Sequence, residues 1–174
     1  MFKFFITVFV FAFFVNDSFA HGPSRQKVSL TVEIDAPAEK VWKIVSNFKK
    51  FNWNKNIKNS KADSNEIGSE RIINFQDGSV VKQKLEKVDS EKKMVSWRIV
   101  ETDNKVLPVN SYASKIFIKA DGDSKSSVTY KSGFYRGFMG NDPPEELNDE
   151  NSKQKVKVFI KDNLQGLKKV AESN

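Results

Sequence analysis

The chain has 174 residues, enough for one domain, and carries a formal net charge of +7 at pH 7. It contains no cysteine, which excludes disulfides, thiol catalysis, iron–sulfur clusters and zinc–thiolate sites. With one histidine and no G-x-S-x-G, G-x-G-x-x-G or P-loop motif, it offers little support for nucleophilic catalysis or nucleotide binding.

The N-terminus has the layout of a secretory signal. Lys3 precedes the apolar run FFITVFVFAFFV, and small residues follow at Ser18 and Ala20. A retained membrane anchor is the alternative, but the apolar run is shorter than the ~20 residues that a spanning helix needs. We therefore predict a signal peptide over residues 1–20, cleavage after Ala20, one domain over residues 21–174 and a periplasmic location.

Export and charge together limit the partners. A basic periplasmic protein is expected to meet acidic proteins, anionic headgroups or wall polymers rather than nucleic acid. After cleavage no stable membrane anchor is expected. His21 would become the first residue and can chelate copper through its amino group and ring, but the chain lacks the second histidine of such sites. We expect no metal and no cofactor.

The mature chain begins with a strand and a helix. From Lys27 the apolar residues alternate with polar ones, which predicts a strand with one wet face. Asp35-Ala36-Pro37 is typical of a helix start, and one apolar helical face follows. The residues of that face are Ala38, Val41, Trp42, Val45 and Phe48.

The stretch FKKFNWNKNIKNS, residues 48–60, interleaves aromatic rings with lysines. Such a pattern can indicate a surface that stacks bases, or a solvated segment whose rings turn inward over a pocket. Because export disfavours nucleic acid, we predict the second arrangement, with Phe48, Phe51 and Trp53 inward and the lysines in water. The asparagines favour a turn or a short, irregular helix here.

Strands separated by turn signals follow, and then a long helix. A weak edge strand is predicted over Lys58–Ser64. Stronger strands are predicted over Arg71–Gln76, Val80–Val88, Met94–Glu101, Tyr112–Ala120 and Ser127–Tyr135. The apolar spacing from Glu145 to Ala171 predicts the helix. This order indicates an α+β domain in which a curved antiparallel sheet wraps around the C-terminal helix and leaves a pocket between them.

The chemistry available inside such a pocket is limited. Tyr112, Arg71, Arg98 and Glu101 lie in predicted strands, but charged strand residues usually face water, so we predict no catalytic residue. Aromatic residues are spread around the supposed cavity, Phe117 and Tyr135 among them. The predicted ligand-binding residues, in the cavity or at its mouth, are Phe51, Trp53, Phe75, Trp97, Tyr112 and Phe134.

Several stretches of the chain resemble the SRPBCC superfamily, whose helix-grip fold is shared by START lipid-transfer domains, pollen allergens and polyketide cyclases. The carrying stretches are VSLTVEIDAPAEKVWKIVSNFKKFNWNKNIKNS, GSERIINFQDGSVVKQKLEKVD, LPVNSYASKIFI and SVTY. Within it, HGPSRQKV, LPV-x-x-Y, SGFYRG and DPPEE are most similar to periplasmic MxaD-type proteins of methanol oxidation. The resemblance implies a cavity between sheet and helix. It also implies a role assisting electron transfer from methanol dehydrogenase to cytochrome c.

Three functions remain open. The first is a non-enzymatic periplasmic accessory or binding protein of the MxaD type, with an apolar ligand cavity and acidic redox proteins as partners. The second is an enzyme related to polyketide cyclases or dehydratases, using a buried polar residue such as Tyr112 or Arg98. The third is a carrier of lipids or other hydrophobic small molecules.

Overall fold

The computed structural model describes residues 22–173, so the predicted signal peptide and His21 lie outside the described residues. Seven strands and two α-helices follow one another in this range. They are β1 (Gln26–Ile34), α1 (Ala38–Val45), β2 (Ile57–Ala62), β3 (Glu70–Phe75), β4 (Val80–Asp89), β5 (Met94–Thr102), β6 (Val109–Asp121), β7 (Lys125–Arg136) and α2 (Asp149–Glu172).

All seven strands form one antiparallel sheet in the order β1-β7-β6-β5-β4-β3-β2. Strands β2 to β7 are joined in sequence, whereas β1 pairs with β7, the last strand of the chain, with Leu30 opposite Tyr130. The sheet is curved, and α2 packs across it against β1 and β7. This is the predicted α+β helix-grip architecture.

The core lies between the sheet and α2 and follows the alternation of the strands. The inner side of β7 is the clearest case, because Val128, Tyr130 and Phe134 are fully buried at every second or fourth position. In α2 the buried residues recur at helical spacing, among them Val156 and Ile160. The apolar face predicted for the C-terminal helix is therefore the face that the sheet covers.

Local side-chain chemistry explains where elements differ from prediction. Residues 48–56 form turns, one of the two predicted alternatives, because Asn54 accepts the backbone N–H of Asn56 at 2.9 Å and competes with helical hydrogen bonding. The final helix begins at Asp149, after a separate 3₁₀ turn over Glu145–Leu147. Asn148 caps it by accepting the N–H of Asn151 at 2.8 Å. Among residues 22–173, no helix combines the length and apolar character needed to cross a bilayer.

Candidate ligand-binding site

A chain of aromatic rings runs across the inner face of the sheet. It begins in the segment after α1, where the ring centres of Trp53 and Phe51 lie 4.7 Å apart. It continues from Phe51 to Trp97, whose ring centres are 6.0 Å apart. Trp97 then meets Tyr130 at 5.7 Å. The Tyr130 hydroxyl lies 3.4 Å from that of Tyr112.

The last ring of this aromatic chain is Phe134, which stacks on Tyr112 at 5.9 Å. Five of the six predicted ligand-binding residues therefore belong to one continuous group. All five are buried, with Trp53 the most exposed at 7%.

Arg71 lies in the middle of this group. Its guanidinium carbon is 4.1 Å from the ring centres of both Phe48 and Phe51 and 5.3 Å from that of Trp97. One terminal nitrogen donates to the carbonyl of Phe48 at 3.0 Å, and the other donates to the side-chain oxygen of Gln83 at 2.5 Å. Arg71 is only 2% exposed, so a full positive charge sits inside the domain.

Several polar atoms around Arg71 have no hydrogen-bond partner among the described residues. They include three N–H donors, on Nε of Arg71, Nε2 of Gln83 and Nε1 of Trp97. The hydroxyls of Ser114 and Ser132, on the neighbouring strands β6 and β7, interact instead with the hydroxyls of Tyr112 and Tyr130. A buried unpaired polar group costs about 1–3 kcal/mol, so the three N–H donors on Arg71, Gln83 and Trp97 are unusual for a simple core.

Burial controls the ionisation of this group, which we call the Arg71 cluster: Arg71, Gln83, Trp97, Tyr112 and Tyr130. Burial lowers the pKa of the Arg71 guanidinium to about 9, and the nearby Tyr130 hydroxyl opposes this shift. Burial also raises the pKa of Tyr112 well above 10 and raises the pKa of Tyr130. At neutral pH the cluster therefore holds one cation and two protonated hydroxyls.

The segment over residues 47–56, which we call the cover segment, closes the cluster from the side of α1. Its lysines are exposed while Phe48 and Phe51 are fully buried, which confirms the predicted division between rings and charges. The N–H of Phe51 donates to the hydroxyl of Ser60 at 2.9 Å, which ties the cover segment to β2. The rings thus form the roof over Arg71.

Surface depressions border three of the predicted ligand-binding residues, Phe75, Trp53 and Tyr112, and two of these depressions concern the cover segment and α2. One of about 260 Å³ lies between α2 and the turn after β3, and Phe75, Val106 and Phe159 form its apolar part. Phe75 is thus the one predicted ligand residue apart from the aromatic chain, with its ring 6.2 Å from that of Phe159. The other depression, of about 330 Å³, borders Trp53 and Val170. Phe75 and Trp53 therefore mark two candidate approaches to the interior.

A β-bulge aims Tyr112 at the cluster. The pairing of β6 with β7 shifts between Asn110 and Ala113, and Ser111 adopts a positive φ of 48°. The Asn110 side chain holds this bulge by donating to the carbonyls of Arg136 and Gly137 at 3.0 and 2.8 Å. Tyr112 is consequently turned to the inner face.

Arg98 and Glu101 lie exposed on the outer face, where they pair with Glu86 and Lys82, as expected for charged strand residues. Their exposure removes Arg98 as the buried polar residue of an enzyme. The placement of Phe117 and Tyr135 around the cavity was wrong, because both lie on the outer face of strands that bury the alternate positions.

Arg71 was the residue that sequence reasoning missed, since a charged strand residue was expected to face water. The available signal was the two-residue period of a strand, which places Arg71, Ile73 and Phe75 on the same side of β3. Ile72, an apolar residue on the opposite face and 39% exposed, obscured it.

The donors present suit an organic ligand better than a metal ion. Among the described residues, no group of three or more His, Asp or Glu side chains could hold a metal. What the cluster offers instead is a cation, N–H and O–H donors, and aromatic walls. This is the donor set of a site for a small molecule with an acceptor-rich end.

Comparison with known proteins places this architecture. A family model described as polyketide cyclase/dehydrase and lipid transport matches residues 25–172. The chain belongs to this family. In sequence, this family member is similar to the abscisic acid receptor PYL6 of Arabidopsis thaliana, with 24% identity over 160 residues that cover 87% of this chain and 72% of the receptor.

Solved structures support the same fold for this polyketide cyclase/dehydrase family member. An uncharacterised protein from Bacillus thuringiensis is similar with a TM-score of 0.70 and 22% identity, covering 85% of this chain and 100% of that chain. The Zhui aromatase/cyclase from Streptomyces sp. R1128 is similar with a TM-score of 0.69 and 14% identity, covering 86% of this chain and 94% of that chain. At these identities the likeness is one of fold.

Proposed function

We propose that the protein is a non-enzymatic binding protein of the periplasm that holds one small molecule between the inner face of its sheet and α2. The observation that carries this proposal is the Arg71 cluster, in which buried donors lack partners inside a wall of aromatic rings. Such donors are costly in a core that serves packing alone. A bound molecule that supplies acceptors offsets that cost.

The proposed setting is the MxaD-type role, in which the protein assists electron transfer from methanol dehydrogenase to cytochrome c. The net charge of +7 and the LPV-x-x-Y and DPPEE stretches support it. Charge complementarity would speed encounters with acidic redox proteins. Co-purification with methanol dehydrogenase or cytochrome c from the native periplasm at low salt, and loss of that association at high salt, is the expected result. Absence of both proteins at low salt contradicts the accessory role.

Native mass spectrometry tests the binding function. The mature protein is isolated gently from its own periplasm, and we expect a chain that begins at His21 and carries one stoichiometric small-molecule adduct. The mass of the adduct distinguishes a lipid cargo from a smaller acid or quinone. Denatured protein from the same preparation serves as the control, because a non-covalent adduct is lost on unfolding. A bare chain in every native preparation contradicts the binding function.

An enzyme of the cyclase or dehydratase type is the second candidate. The buried pair of Tyr112 and Tyr130 hydroxyls beside Arg71 favours it, because such donors can stabilise an oxyanion formed during ring closure or loss of water. We would incubate the protein with a linear poly-β-ketone and follow cyclised products by mass spectrometry. Cyclisation that is lost in Tyr112→Phe supports the enzyme. Product formation no faster than in buffer removes this candidate.

A further inference from the structure

We propose that the molecule held inside this protein is an apolar monocarboxylic acid whose carboxylate pairs with the guanidinium of Arg71. The inference rests on the proposed binding function and specifies the chemistry of its ligand. It follows from three features of the Arg71 cluster: a buried cation without a counter-ion, unpaired donors around it, and an apolar remainder.

The missing counter-ion is the first feature. In the described part of the chain, Arg71 forms no ion pair with a carboxylate. The two oxygens that accept hydrogen bonds from its guanidinium are neutral: the backbone carbonyl of Phe48 and the side-chain amide of Gln83. The other buried arginine, Arg136, shows the contrast, because it pairs with Asp149 at 2.9 Å. A buried charge is ordinarily paired, since removing it from water without a partner costs several kcal/mol.

The unpaired donors are the second feature. Nε of Arg71, Nε2 of Gln83 and Nε1 of Trp97 are all N–H groups, and the Tyr112 and Tyr130 hydroxyls stay protonated at neutral pH because burial raises their pKa. The cluster therefore has an excess of donors over acceptors. A carboxylate is an acceptor with about four lone-pair sites and matches the guanidinium fork in two parallel hydrogen bonds.

The surroundings limit the ligand to one negative charge and an apolar body. Among the buried residues of the described chain the only charged ones are Arg71 and Arg136, and Arg136 is already paired. A phosphate or a dicarboxylate would bring a second charge that nothing in the interior neutralises. The rings of Phe51, Trp97 and Phe134 suit an aromatic or alicyclic body.

The acid would enter by replacing a contact that the cover segment now makes. The Phe48 carbonyl accepts from Arg71 at 3.0 Å, and a carboxylate is the stronger acceptor because the hydrogen bond is then assisted by charge on both sides. Opening the cover segment at Phe48 therefore exposes the guanidinium to the ligand.

Isothermal titration calorimetry at pH 7 tests the inference with matched pairs. Benzoate, 3-phenylpropionate and 2-naphthoate are each titrated beside the corresponding primary amide, which has a similar shape and no charge. We expect at least one acid to bind wild-type protein tenfold or more tightly than its amide. Arg71→Met should reduce the affinity for that acid to that for its amide. Arg98→Met, which removes an exposed arginine, should leave both affinities unchanged.

The outcomes separate the inference from the binding function. Equal affinity for every acid and its amide, or a preference that survives in Arg71→Met, overturns the inference. If the neutral fluorophore N-phenyl-1-naphthylamine still binds one to one, the binding function stands. If no acid, amide or neutral probe binds, both fail. Should Arg71→Met not fold, the ratio measured on wild-type protein decides, and Arg71→Lys replaces it as the variant that keeps the charge but loses the planar fork.

Discussion

Gly166 of α2 lies directly against the carbonyl of Trp53. A methyl group added at Gly166 would be 1.8 Å from that oxygen and 2.6 Å from the carbonyl carbon, so only a residue without a side chain fits. The contact sets how closely the cover segment approaches α2, and it explains a glycine in the middle of a long helix, where glycine is otherwise unfavourable. The roof over the Arg71 cluster is thus positioned from two sides, by β2 and by α2.

We predict that Gly166→Ala lowers the free energy of unfolding by about 1–3 kcal/mol, because the clash with backbone atoms outweighs the gain in helix propensity of about 1 kcal/mol. Thermal or urea unfolding measures the change, and Trp fluorescence should report displacement of Trp53. Gln165→Ala, at the exposed neighbouring position, is the matched control and should stay within about 0.5 kcal/mol of wild type. Unchanged or raised stability in Gly166→Ala would show that the backbone at Trp53 moves away from α2 at no cost, which contradicts the prediction.

Arg71→Met should not lower the free energy of unfolding of the ligand-free protein. We expect it to raise that free energy by up to about 4 kcal/mol, because the substitution removes an unpaired buried charge. The pH dependence has a definite sign. Burial lowers the pKa of Arg71 to about 9 in the folded state, below that of a free arginine side chain, so the unfolded state binds more protons above pH 9. The advantage of the variant should be complete below pH 9 and shrink above it.

Urea unfolding of both proteins between pH 6 and 10 measures this difference, with Arg98→Met as the control for loss of a surface charge. A loss of more than about 2 kcal/mol in Arg71→Met, in the range of a disrupted core, would identify Arg71 as a structural anchor instead.

Binding of the acid should depend on pH in a way that its amide does not. Affinity is expected to be constant between about pH 6 and 8, to fall above about pH 9 as Arg71 loses its proton, and to fall near pH 4 as the ligand becomes neutral. Tyr130, the titratable group near Arg71 on β7, and Tyr112, whose hydroxyl lies beside that of Tyr130, remain neutral because burial raises their pKa values. Calorimetry from about pH 4 to pH 10 checks this dependence, and the same pH dependence of affinity for the acid and its amide contradicts it.

Two substitutions at Ser111, in the bulge, should change stability in opposite directions. Because its φ is positive, Ser111→Gly should keep or raise stability, by up to about 1 kcal/mol, whereas Ser111→Val should lower it by about 1–2 kcal/mol and turn Tyr112 away from Tyr130. Ser29, exposed in the regular strand β1, is the control, since there glycine should destabilise and valine should not. If the glycine and valine variants had the same order of stability at both positions, strain at Ser111 would be contradicted.

Most of the fold could be predicted because its signals are local. Alternation in β1, the Asp77-Gly78 turn and the helical spacing before Ala171 each arise within a few residues, and all appear in the structure. The inward rings of the cover segment were predicted differently, from the expected signal peptide, because export disfavours a nucleic-acid partner for them. The ligand-binding role of the six aromatic residues remains a prediction, although five of them form one group.

The tertiary structure alone decided what surrounds those rings. Local patterns and composition were enough to predict a basic, cysteine-free α+β chain with aromatic residues in both helices and in strands β3, β5, β6 and β7, because periodicity acts over short distances. It could not place the Arg71 charge inside, since β3 has apolar residues on both faces. Arg71 is enclosed because β3 pairs with β4 and because the rings of Phe48 and Phe51, in the cover segment, pack against its guanidinium. Those contacts join residues far apart in the chain, and packing rather than local propensity selects them.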